Sequence, residues 1–292
     1  MHDDDTPAPR RRSRLLLAAG APLLAALAGW LVWDTTSGAA EPAPRAHGPL
    51  PAASRPAPGA DAPASPAAAP LTGKTVVIDP GHNPGNFDHP REINAKVDIG
   101  TGHKECDTTG TSTNSGYTEA AFTLDVSHRL RTLLRGLGAK VVLTHDADRP
   151  YGPCIDERAR IGNNAHADAV VSLHADGSAT GNRGFHVILP AAVKGGGADT
   201  TRIVGPSRTL GRHIAARFAT ATGSAPANYV GGGTGLDVRK DLGGLNLSTV
   251  PKVFIECGNM RDREDAALLT DAAWRQEAAR GIADGISTYL RG

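Results

Sequence analysis

The sequence predicts an α/β fold: a single domain built on a twisted, mostly parallel mixed sheet with helices on both faces. Three observations carry that expectation. Short β-branched runs recur between residues 75 and 255, and amphipathic stretches with helical spacing lie between them. Strand–helix alternation of this kind supplies the crossovers that a parallel sheet requires. The first run, Thr75-Val76-Val77-Ile78, is nearly continuous in apolar character, as expected of a strand covered on both faces.

The remaining elements follow in order. Runs at 140–143, 169–173, 185–189 and 252–255 repeat the strand pattern. Between the run at 75–78 and the run at 140–143, Phe122, Val126, Leu130, Leu133 and Leu137 recur at three- and four-residue spacing and end at Gly138, a helix stop. Near the C-terminus Trp274, Ala278, Ile282 and Ile286 follow the same rule, with Asp271 as candidate N-cap. These elements define a domain over 73–292.

Two different segments precede it. Arg10, Arg11, Arg12 and Arg14 stand before an apolar run at 15–33, and small residues follow at 37–40. A positive flank before an apolar stretch reads as an export signal. The run also approaches the ~20 residues needed to span a bilayer. Residues 1–40 are therefore either a cleaved signal or an N-terminal anchor with its positive flank inside. Arg11-Arg12-Ser13 is also compatible with twin-arginine export. Residues 41–72 are dominated by Pro and Ala and hold almost no large apolar side chains, which predicts a disordered, semi-rigid spacer. The protein is thus expected outside the cytoplasm, secreted or anchored at the envelope through residues 15–33. The formal net charge of +1 argues against a nucleic-acid partner.

Outside the cytoplasm a disulfide is permitted, and three cysteines leave one over. Cys106 and Cys154 lie in Gly-, Thr- and Pro-rich loop sequence and are expected to pair. Cys257 sits in an apolar strand pattern and is expected to pack as a small hydrophobe.

Four segments carry chemistry. Ile78-Asp79-Pro80-Gly81-His82 runs from a buried strand into a tight turn. Glu119 opens the first turn of the helix that carries Phe122. Ser172-Leu173-His174-Ala175-Asp176 is a second strand that ends in histidine, and Phe254-Ile255-Glu256-Cys257-Gly258 closes an apolar strand with an acid. Strand ends are where open α/β sheets display functional groups. Two histidines, a carboxylate ligand and a nearby second carboxylate match an open catalytic zinc site. Such an ion polarises the scissile carbonyl and activates water, while the second carboxylate moves the proton to the leaving nitrogen. Other readings stand beside this one. A strand-end histidine is often structural, Glu119 also suits the helix dipole, and His89, His103, His128, His145, His166, His186 and His213 are rival ligands.

The segments Val76-Val77-Ile78-Asp79-Pro80-Gly81-His82, Glu119, Glu157-Arg158 to Asn163, Ala167-Asp168 to Ser172-Leu173-His174-Ala175-Asp176, and Pro251 to Glu256 resemble the zinc-dependent N-acetylmuramoyl-L-alanine amidases of the amidase-3 type. The similarity runs in order through most of 74–290 and is nearest to actinobacterial, mycobacterial-type enzymes. It implies one zinc ion per chain held by His82, Glu119 and His174, with Glu256 as catalytic acid and base. It also implies cleavage of peptidoglycan, or of its muropeptide fragments, between N-acetylmuramic acid and L-alanine of the stem peptide.

Arg158 is a candidate for a stem-peptide carboxylate or for an ion pair between helix and sheet. Asp79 either orients His82 or caps the turn, Asn163 is expected to stabilise a helix end, and residues 236–239 are candidates for a cleft wall. After Glu256 the family usually continues Gly-Phe, whereas this chain reads Cys257-Gly258-Asn259-Met260, which is expected to reshape the cleft. The 36 residues between His82 and Glu119 are expected to form a long loop, with no helix that plugs the site. The working expectation is a monomeric amidase with a constitutively open cleft. A zinc peptidase or deacetylase acting on another bond, and a non-catalytic wall-binding regulator, are the competing readings.

Overall fold

The computed structural model describes residues 68–292. The export or anchor segment and all but the last residues of the expected spacer lie outside the described residues. The chain joins the folded core at Leu71, which is fully buried and donates its backbone N–H to the Leu137 carbonyl at 2.9 Å.

The strands are β1 (Thr75–Pro80), β2 (Lys96–Asp98), β3 (His103–Glu105), β4 (Lys140–Leu143), β5 (Ala169–Asp176), β6 (His186–Pro190), β7 (Lys194–Gly195), β8 (Ala198–Asp199), β9 (Leu236–Arg239) and β10 (Lys252–Asn259). The helices are α1 (Pro90–Ile93), α2 (Glu119–Gly136), α3 (Ile155–Asn164), α4 (Val204–Thr222), α5 (Gly243–Asn246), α6 (Arg263–Thr270) and α7 (Ala272–Leu290). Six strands form the main sheet in the order β4-β1-β5-β10-β6-β9. All neighbours are parallel except β10 and β6. The mixed sheet expected from the sequence is therefore present, with one antiparallel seam.

The period-2 alternation of a strand divides the sheet into two faces. Val76, Ile78, Val171, Leu173, Val253 and Ile255 share one buried cluster with Leu130 of α2, Ile214 of α4 and Ile282 of α7. Each fully buried aliphatic side chain contributes about 1.5–3 kcal/mol relative to exposure. The residues that alternate with them include Val77 and Val170, which pack with Ile161 of α3. That second face also carries Asp79, Ser172, His174, Phe254 and Glu256. The helices thus cover one face with a large apolar layer, and the polar residues of the other face converge where β1, β5 and β10 end.

Local signals account for the element ends. Thr118 caps α2, its hydroxyl accepting from Ala121 N at 3.3 Å. Gly138, at φ +91°, ends the same helix in a conformation that favours glycine. Asp271 caps α7, as its sequence position predicted, accepting from Trp274 N at 2.7 Å.

Three features differ from the sequence expectation. The stretch between His82 and Glu119 is not one long loop: it holds a 3-10 turn at Pro84–Asp88, the short α1 and the β2–β3 hairpin. A long helix, α4, and the edge strand β9 add to the predicted elements. Cys106 and Cys154 form the expected disulfide, which ties the end of that segment to the residue preceding α3. Among the described residues no helix is long and apolar enough to cross a membrane.

Candidate metal centre

His82 follows the end of β1 with φ +59°, a left-handed conformation that a non-glycine residue keeps only when its surroundings enforce it. Two neighbours do so. The Gly81 N–H donates to the Leu173 carbonyl at 2.9 Å, and Arg158 Nη2 donates to the His82 carbonyl at 3.2 Å. Gly81 lies so close to β5 that a Cβ there would stand 2.5 Å from His174 Cε1. The tight turn after β1 therefore brings the first strand-end histidine against the second.

Glu119 completes the cluster from the first turn of α2. Its Oε1 is 2.9 Å from His174 Nδ1 and 3.3 Å from His82 Nε2. Backbone N–H groups of Ala175 and Thr111 donate to its two oxygens at 3.2 and 2.9 Å, so the carboxylate is fixed in place. One ligand atom from each of His82, Glu119 and His174 falls within 4.8 Å of the others. In a tetrahedral site with metal–ligand bonds of ~2.0–2.1 Å, neighbouring donors lie about 3.3 Å apart. The donor set and its spacing fit a zinc ion.

The ring orientations are also set. His82 Nδ1 lies 3.2 Å from Asp107 Oδ1 and 3.1 Å from the Thr108 carbonyl, which leaves Nε2 toward Glu119. Burial alone would lower the His82 pKa, but Glu119 and Asp107 beside the ring raise it to about 10. His174 stacks on Phe254, with ring centroids 5.3 Å apart.

Glu256 pairs in register with His174 on one side and His186 on the other. Its Oε2 is buried without a hydrogen-bond partner among the described residues. Burial, reinforced by the negative charges of Glu119 and Asp176, pushes its pKa well above the usual carboxylate range. It lines a cavity of about 440 Å³ together with His82, Glu119, His174, Phe254 and Arg239. A second cavity of about 250 Å³ opens past His82 and His174, bordered by Ile155, Leu242 and Lys104.

Beneath the histidines lies a buried charge network. Asp79 accepts from Arg158 Nη1 at 2.8 Å, Lys252 Nζ at 3.0 Å, Ser172 Oγ at 2.8 Å and Thr144 Oγ1 at 2.7 Å. Burial acts to raise its pKa, but Lys252 and Arg158 overcome that and hold it far below the usual range. Arg158 Nη2 also donates to Asp107 Oδ2 at 2.8 Å.

Two alternatives that the sequence left open are decided here. Asp79 does not orient His82, because its carboxylate is committed to four other partners; Asp107, which the sequence reading passed over, faces the ring. Nor is Arg158 placed to receive a substrate carboxylate. It is 5% exposed, and its guanidinium donates to Asp79, Asp107 and the carbonyls of Pro80, His82 and Pro153. Its ion-pairing alternative is the one observed.

The other candidates resolve as follows. Asn163 bonds the Leu247 carbonyl and the Thr249 N–H at the end of α3, a structural position. Cys257 joins the core cluster on the helix-covered face, so the departure after Glu256 points its thiol away from the cleft. None of the rival histidines enters the ligand cluster: His128 pairs with Asp146, and His145 bonds the Pro80 carbonyl at 3.1 Å. Of the 236–239 segment, Arg239 lines the cavity beside Glu256.

A family model described as N-acetylmuramoyl-L-alanine amidase matches residues 76–288. The chain belongs to the N-acetylmuramoyl-L-alanine amidase family. It is similar to an N-acetylmuramoyl-L-alanine amidase of Mycobacterium tuberculosis, with 40% identity over 75% of this chain and 88% of that protein. The crystal structure of the N-acetylmuramyl-L-alanine amidase Ami1 from Mycobacterium smegmatis superposes with a TM-score of 0.69 at 38% identity, covering 75% of this chain and 98% of that one. Ami1 from Mycobacterium abscessus gives 0.68 at 40% identity, covering 75% and 100%. As a member of this amidase family the protein is an enzyme, a peptidoglycan amidase of the cell wall, and its α/β domain is the amidase fold.

Proposed function

We propose that the domain hydrolyses the amide bond between the lactyl group of N-acetylmuramic acid and L-alanine of the stem peptide, with His82, Glu119 and His174 holding one zinc ion and Glu256 moving the proton. The observation that carries this reading is the convergence of three ligand atoms within 4.8 Å at the rim of a cavity that also contains a buried, unpartnered carboxyl oxygen. When bound, zinc supplies a Lewis acid that polarises the scissile carbonyl and makes water acidic enough to attack near neutral pH.

The protein's own groups do the rest. Glu119, pinned by two backbone N–H donors, and His82, aligned by Asp107, keep their donor atoms aimed at one point. Glu256 accepts a proton from the attacking water and returns it to the departing L-alanine nitrogen, so one carboxyl serves as base and then acid. The upward shift of its pKa suits the second role, because a carboxyl that ionises too readily is a poor proton donor. All four residues come from one chain, so a monomer holds a complete site. The Gly195–Gly197 turn and the Gly231–Gly233 turn line neither cavity, which supports a cleft that is open without an activator.

Placement outside the cytoplasm belongs to the same reading. The arginine cluster, the 15–33 apolar run and the Pro/Ala spacer would bring the domain to the wall, either released or held at the membrane. The bond assignment is tested by digesting purified muropeptides and weighing the products. Release of intact stem peptides that begin with L-alanine supports it. Cleavage inside the peptide, or loss of acetyl groups alone, would replace it with the peptidase or deacetylase reading.

A further inference from the structure

We propose that Arg239 is a specificity residue that receives a carboxylate from the second or third residue of the stem peptide, on the leaving-amine side of the cleft. This rests on the amidase reading above and deepens it.

The polarity of the cleft follows from Glu256. The group that protonates the departing nitrogen must stand beside it, so the peptide extends through the cavity that contains Glu256. The sugar and its lactyl group then lie toward the smaller cavity past His82 and His174. Arg239 lines the peptide-side cavity. The strand register sets its reach: Glu256 is level with His186, and Arg239 is level with Pro190, four residues further along β6. At ~3.3 Å per residue that backbone offset along the strand is about 13 Å, and the Arg239 side chain extends from it to the cavity wall that Glu256 shares. An extended peptide covers it within a few residues, so carboxylates on the residues after L-alanine arrive at the arginine.

The side chain is presented rather than consumed. Asp241 accepts from Arg239 Nε at 2.9 Å and from Nη2 at 2.6 Å, which fixes the plane of the guanidinium. Nη1 has no partner among the described residues. The same Asp241 carboxylate also accepts from Lys104 Nζ at 3.2 Å, so this one acid is shared between two cations. Ile188 and Phe254 line the cavity between Glu256 and Arg239. A planar, pre-oriented guanidinium on the wall of the peptide-side cavity suits bidentate reception of a carboxylate.

The test uses the full-length, zinc-loaded protein and two synthetic N-acetylmuramoyl tripeptides that begin with L-alanine. One carries free carboxylates at residues two and three; the other carries carboxamides at both. Wild type is expected to show a KM about tenfold lower for the acidic peptide, the scale of a hydrogen bond to a charged partner. Arg239→Gln is expected to abolish that preference through KM, with zinc content and thermal midpoint retained, and Arg239→Lys to restore part of it. The proposal is overturned if Arg239→Gln keeps the wild-type ratio between the two peptides, if it weakens both equally, or if wild type shows no preference. Failure of wild type to cleave either peptide would instead overturn the amidase reading, and this inference with it.

Discussion

At the scale of single residues, Glu256 and Asp107 make different demands on experiment. Glu256 sits beside the ligand cluster without belonging to it, so Glu256→Ala should retain stoichiometric zinc and lose roughly 10² or more in kcat. Metal analysis and rate measurement on the same sample separate the two effects, and undiminished turnover would remove Glu256 from the chemistry. Asp107 borders the smaller cavity, holds the His82 ring through Nδ1 and is itself held by Arg158. Asp107→Ala should weaken zinc binding by about 10–100-fold, the usual cost of removing the partner of a ligating histidine. Competition against a chelator of known affinity measures it. Three of the four principal residues were legible because His82, His174 and Glu256 each close an apolar strand. Glu119 was legible only through its helix start and the family resemblance. Asp107 was not, because nothing in a Gly- and Thr-rich loop marks which acid folds back onto a ring. Arg158 was half-read: an arginine on a helix looks the same in sequence whether it faces substrate or two buried acids.

At the scale of elements, the strand ends are held by charge as much as by packing. Asp79, Lys252 and Arg158 join β1, β10 and α3 in a region nearly free of solvent. Asp79→Asn would leave two buried cations undercompensated and should cost about 3–5 kcal/mol in unfolding free energy. The pH dependence has a definite sign. The folded pKa of Asp79 lies below its unfolded value of about 3.9. Its stabilising contribution is therefore complete above about pH 4 and is lost as pH falls below that value. Thermal midpoints between pH 2 and 7 should drop on the acid side in wild type and vary less in Asp79→Asn. The disulfide acts at the same scale, because Cys106 precedes Asp107 and Cys154 precedes α3. With a sequence separation of 48 between the cysteines, chain entropy gives it about 4 kcal/mol. Reduction should lower the thermal midpoint and, by loosening Asp107, the zinc affinity as well; an unchanged affinity would separate the staple from the site. Strands β1, β4, β5 and β10 were readable from their apolar runs. The edge strand β9 was not, since Leu236-Asp237-Val238-Arg239 is short and mixed. Helix α4 was obscured by Gly205, Pro206 and Gly211 among its apolar positions Leu210, Ile214 and Phe218.

At the scale of the whole molecule, one sheet does two jobs. Its apolar face is closed by α2, α4 and α7, while the other face delivers two histidines and a carboxyl to one rim, where α2 adds Glu119 from its first turn. That division explains why the fold class could be read from periodicity, whereas the cleft could not: strands announce themselves by pattern, but cavity walls come from loops whose pairing is long-range. The central claim is that amide hydrolysis depends on an ion at His82, Glu119 and His174. The direct measurement is amidase activity on purified peptidoglycan before chelation, after chelation and after zinc is restored, with bound metal quantified at each stage. The account predicts about one zinc per chain, loss of activity with the metal and recovery with its return, and no recovery in His174→Ala. Full activity in metal-free protein would contradict it.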